Sequence, residues 1–159
     1  MWQELLTILR KLGNDYGAVE ALGKQKHTAL VGVDMKTLDR LVKREADIAA
    51  SIKKTESARQ ELCLKIIKAY PSITPDMKMQ EAYQLAGPLA RELKNAHEEL
   101  SALVERVKAQ AEINNILAMG ALGAVNQRLG RIGGVSVDPV YGRGGRENVS
   151  YRQNFEYDA

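Results

Sequence analysis

The chain has 159 residues, of which 45% are hydrophobic, 27% charged and only 5% aromatic, enough for one domain whose helices pack through aliphatic stripes. Its 23 basic and 20 acidic residues leave a net charge of +3, too even a mixture for a dedicated nucleic-acid binder. One cysteine, Cys63, excludes an internal disulfide framework and multi-cysteine zinc sites. No run of 18 apolar residues is present, so no membrane insertion is expected, and Met1-Trp2-Gln3-Glu4 does not open a signal peptide.

Residues 1–70 and 89–138 contain no proline. Within the first block, Val31-Gly32-Val33-Asp34 reads as a stop and a start: Gly32 in the left-handed conformation ends one helix, and Asp34 caps the next. Helices are expected at about 2–31 and 35–69. The first carries Leu5, Leu9, Leu12, Tyr16 and Val19 in four-three steps. The second carries Leu38, Leu41, Ile48, Ile52, Thr55, Leu62 and Ile66, interrupted by Glu45 and Arg59. One stripe on each helix and a tight turn between them predict an antiparallel coiled-coil hairpin, a rod about 50 Å long at 1.5 Å per residue.

Thr74 before Pro75 signals a short helix over about 75–85, ended by Gly87. Pro88 then opens a third long helix, about 88–132. Its seam is Leu89, Leu93, Ala96, Leu100, Leu103 and Val107. Beyond that the heptad positions fall on Gln110 and Asn114, while apolar residues shift to Ala111, Ala118, Leu122, Val125 and Leu129. This change of period predicts that the helix leaves the seam near Gln110. Gly120, Ala121, Gly123 and Ala124 follow, small residues that suit a close approach, a hinge or a fraying end. The whole reads as all-α: a helical domain of residues 1–132, an elongated three- to four-helix bundle, then a flexible glycine-rich tail of residues 133–159. Four of the eight aromatics, Tyr141, Tyr151, Phe155 and Tyr157, lie in that tail, which fits a segment that orders on a partner.

Catalytic chemistry finds no foothold. His27 and His97 lack ligand-spaced neighbours and read as surface or groove-edge residues. Cys63, between Leu62 and Leu64, reads as a small packed hydrophobe. Gly142-Arg143-Gly144-Gly145-Arg146 lacks the strand and helix of a phosphate loop and reads as a linker. No metal or other cofactor is expected.

Three stretches together resemble one family. Lys26-His27-Thr28-Ala29-Leu30, Asp34, Leu38-Asp39, Leu41, Glu45, Glu56 and Arg59 resemble the first hairpin of the FlgN-type flagellar export chaperones. Ile113-Asn114-Asn115-Ile116-Leu117 with Ala121-Leu122 and Val125 resembles that family's asparagine-rich stretch, and Tyr141-Gly142 with the glycine-rich basic tail resembles its ending. The resemblance implies a cytoplasmic, non-enzymatic protein that binds hook-associated proteins, those of the hook–filament junction, before export through the flagellar type III apparatus. It also implies a binding site in the carboxy-terminal part, at Asn115, Leu117, Leu122, Val125, Leu129, Ile132 and the tail around Tyr141. The residues themselves add Val135, Val137, Tyr151, Phe155 and Tyr157, since an apolar groove for an amphipathic helix needs no catalytic group. Two other readings stand beside it: a coiled-coil scaffold that consumes the stripe in self-association, which leaves a homodimer open, and a weak nucleic-acid module using Arg128, Arg131, Arg143, Arg146 and Arg152.

Overall fold

Freedom from proline lets two long helices form at the amino-terminal end, α1 (Trp2–Val31) and α2 (Met35–Ala69). The computed structural model describes residues 1–74 and 76–133. Asp34 caps α2 as expected, its carboxylate accepting from the Thr37 N–H at 3.0 Å. The left-handed residue of the turn is not Gly32, however, which stays right-handed at φ −82°, but Val33 at φ +53°. The cause is the shared use of Asp34. Its N–H bonds the Ala29 carbonyl at 2.8 Å and the Val33 N–H bonds Leu30 at 3.2 Å, the paired pattern that closes a helix. With Asp34 closing α1 and capping α2, the left-handed position falls one residue before it.

The next helix is shorter and later than its sequence signals suggest. It spans only Met79–Ala82 (α3), continues as a 3₁₀ segment over Tyr83–Leu89, and passes into α4 (Ala90–Ile132). Residues 70–74 and 76–78 are used instead to turn the chain and plug the bundle's base: Ile73 is buried, Met77 packs beside it, and Ile73 and Met77 donate backbone bonds to Tyr70 and Thr74. Pro75, the expected first helical residue, lies outside the described residues. Gly87 takes φ +59° and kinks the 3₁₀ segment just before Pro88.

The three long helices run up, down and up, forming an all-α bundle. Against antiparallel α2, Trp2 Nε1 donates to Tyr70 Oη at 3.1 Å, Lys11 Nζ to Thr55 Oγ1 at 2.8 Å, and Lys26 pairs with Glu45. Against parallel α4, Arg10 pairs with Glu92 at 2.7 Å and Arg106 with Glu20 at 2.8 Å, while Asn114 Nδ2 donates to the Gly23 carbonyl at 2.8 Å. α1 is therefore central and carries two contact faces, where its spacing suggested one stripe. Leu22, Lys26 and Ala29 extend the α2 side, while Glu20 and Gly23 face α4.

The apolar core divides in two. The base joins Trp2, Leu5, Leu6 and Leu9 with Leu62, Ile66, Tyr83 and Leu93. The hairpin tip has a smaller cluster of Leu22, Ala29, Leu38 and Leu41. Between them lies a polar layer in which Lys11 Nζ donates to Asp15, Ser51 and Thr55. The interruption of the α2 stripe at Glu45 is answered by Lys26, whose side chain is buried against it.

Candidate partner-binding site

The second half of α4 carries the site residues that lie within the described chain. Gln110 and Asn114 do not mark a departure from the seam. Asn114 is 4% exposed and holds the Gly23 carbonyl, and Gln110 Nε2 donates to Asn114 Oδ1 at 3.2 Å. A Cβ on Gly23 would stand 3.1 Å from Gln110 Cγ, so the glycine admits this polar step. The seam continues at buried Ala118, one residue off the strict heptad grid, while Ala111 is exposed. A straight helix drifts by about 20° per heptad, and the drift is absorbed across Asn114 instead of lifting α4 away.

Past this point α4 outruns its support. Val31, the last residue of α1, lies eight residues beyond Gly23, and eight residues beyond Asn114 is Leu122. The ten residues from Gly123 to Ile132 therefore project beyond the hairpin tip, about 15 Å of helix. Leu122, Val125, Leu129 and Ile132 continue the four-three step of the seam there. Leu122 and Leu129 are half-buried, and Val125 and Ile132 are 46% and 83% exposed. Leu117 is half-buried and Asn115 exposed, around the helix from this line. Val135, Val137, Tyr141, Tyr151, Phe155 and Tyr157 lie outside the described residues, as does the expected tail beyond Gly133.

Two apolar features escaped the sequence reading. Ile113, Ile116 and Met119 are exposed on the side of α4 away from α1. Their helical spacing could have revealed them, had the seam been known to pass through Asn114. At the hairpin tip Val31, Val33 and Met35 are also exposed. No helix runs past α1 in sequence, so nothing marked that tip as lying beside the α4 projection. Gly120 and Gly123 have open space where a Cβ would stand, and the helix runs on past both to Ile132, so neither a contact among the described residues nor a frayed end accounts for them.

The polar groups of the base engage one another around a groove. A groove of about 350 Å³ runs between the long helices, with Leu9 and Leu12 in its floor and Glu56, Arg59 and His97 on its walls. His97 Nδ1 shares a 2.8 Å hydrogen bond with Tyr83 Oη. Burial, with the Arg59 charge second, holds His97 below its ordinary pKa, and burial pushes Tyr83 up to about 12. Burial likewise pushes the Cys63 thiol up, the opposite of the shift that activates a cysteine nucleophile. Arg59 is engaged by Glu56 at 2.8 Å. His27 is half-buried, its Nδ1 screened from solvent without a hydrogen-bond partner. Among the described residues no three His, Cys, Asp or Glu side chains gather as a metal site, and no helix is long and apolar enough to cross a membrane.

An all-α bundle whose longest helix runs on past the hairpin it packs against, with exposed apolar residues along its end, is the class of protein the fold defines. Comparison with family models narrows the class: the model described as FlgN protein matches residues 1–148, and the chain belongs to that family. The family is one of flagellar export chaperones, whose members bind flagellar proteins and are not enzymes. No curated protein and no solved structure matches the chain.

Proposed function

We propose that this protein is a cytoplasmic chaperone that binds the helical end of hook-associated proteins, masks it against premature assembly, and delivers it to the flagellar type III export apparatus. The supporting observation is the α4 projection, where a stripe buried as far as Ala118 runs on beyond the hairpin tip with Val125 and Ile132 exposed. An amphipathic client helix is complementary to such a surface, because it buries its own apolar face by helix-in-groove recognition. Tail residues Val135, Val137, Tyr141, Tyr151, Phe155 and Tyr157 belong to the same proposed surface, and aromatics are common anchors at such interfaces. Coupling the ordering of this segment to binding moderates affinity, which suits a client that must be released for export. The test is titration of the purified protein with a hook-associated protein of the same organism at moderate salt. Saturable binding through the client's helical end is expected. Absence of binding would overturn the reading, and self-association through α4 would favour the scaffold.

A further inference from the structure

The α4 projection also specifies what chemistry its occupant carries. Its stripe of Leu122, Val125, Leu129 and Ile132 is continuous with the interface whose lower part α1 fills, so an occupant extends an existing seam. The charge along this stretch has one sign. Between Glu112 and Asp138 the sequence holds no acidic residue, and its only charged side chains are Arg128 and Arg131. Both are exposed, and among the described residues no ion pair engages either. Arg128 stands three residues after Val125 and four before Ile132 and so borders one edge of the stripe, whereas Arg131 lies about 100° further round the helix from Ile132 and only adds to the positive charge of the stretch.

We propose that the occupant is an amphipathic helix with an acidic flank, lying on α4 in the line that α1 would follow if it were longer, with a carboxylate against Arg128. A second copy of this chain has the wrong charge: two projections packed together would gather four arginines with no acid along either stretch. The source of the helix rests on the chaperone reading, in which it is the helical end of the client. The sign of its flank and its place beyond the hairpin tip rest on α4 itself.

The experiment uses the full chain and two designed helical peptides with one leucine stripe, flanked by glutamates in one and by lysines in the other. The glutamate peptide binds roughly three- to fivefold tighter at low salt, as one surface ion pair gained against one repulsion would give, and added salt narrows the difference. The double variant Arg128→Glu with Arg131→Glu reverses the preference at unchanged helicity, and Leu129→Ser weakens both peptides. Equal affinities, no binding of either peptide, or a preference that survives the double variant would overturn the proposal. So would concentration-dependent dimers that Leu129→Ser abolishes, since they would make a second copy the occupant. A parallel titration with the hook-associated protein separates the two readings: client binding unchanged by the double variant overturns this inference and leaves the chaperone assignment standing.

Discussion

Val33 is a β-branched residue held at φ +53° and largely exposed, so its strain is offset by no packing of its own. Val33→Gly is expected to stabilise the hairpin by about 1 kcal/mol, read as a higher Tm. Gly13 and Gly17 offer the complementary case. Each has open space where a Cβ would stand, so alanine there adds helix propensity without a clash, about 0.5–1 kcal/mol per site. Gly23→Ala brings a Cβ against Gln110 and is expected to gain less than either. His97 supplies the pH dependence. The fold holds its pKa down, so the unfolded chain takes up the proton more readily. Stability is then complete above about 6.5 and is lost as pH falls below it. Melts at pH 7.5 and 5.5 are expected to differ in the parent protein and to differ less in His97→Gln.

The two halves of α4 do different work. Leu93 is fully buried in the base cluster, and Leu93→Ala is expected to cost about 2–5 kcal/mol. Leu100 packs against the same cluster, so Leu100→Asp places a carboxylate at an apolar interface and lowers the Tm clearly. Asn114→Leu removes a side-chain hydrogen bond to the Gly23 carbonyl, which keeps its helical partner, a loss of about 0.5–1.5 kcal/mol, although a seam residue becomes more apolar. Beyond the tip the expectation reverses. Val125→Ser and Ile132→Ser are expected to leave the melt unchanged, because both side chains are exposed, while client affinity falls. Circular dichroism and a client titration on the same samples separate the two classes.

At the scale of the molecule, no residue of the two core clusters, or packed against them, lies beyond Leu100. Truncation after Gly133 is therefore expected to keep the helical signal and the Tm, and to weaken client binding substantially because six proposed contact residues are lost. A truncated chain that binds its client as tightly as the whole would remove the tail from the site. The Lys11–Asp15–Ser51–Thr55 layer also separates a base cluster that includes residues of α4 from a tip cluster drawn from α1 and α2. Amide exchange is expected to slow from tip to base accordingly.

The sequence by itself determined the all-α class, the limits of α1 and α2 within the helical block, the Asp34 cap and the α2 stripe. These rest on local causes: proline placement, a capping carboxylate, and apolar residues recurring at helical period. It also showed where α4 turns apolar and small late in its course. Only the tertiary structure decided which of those apolar positions are used up. Periodicity reports that a face is apolar, not what lies against it. So Gln110 and Asn114 read as a break in the seam until Gly23 appeared opposite them, α3 read as a full helix until Ile73 and Met77 were drawn into the base, and the projection of α4 existed only once α1 was placed beside it in parallel. The projecting end follows from that register, the difference between where two helices stop, and no residue of either helix encodes it alone.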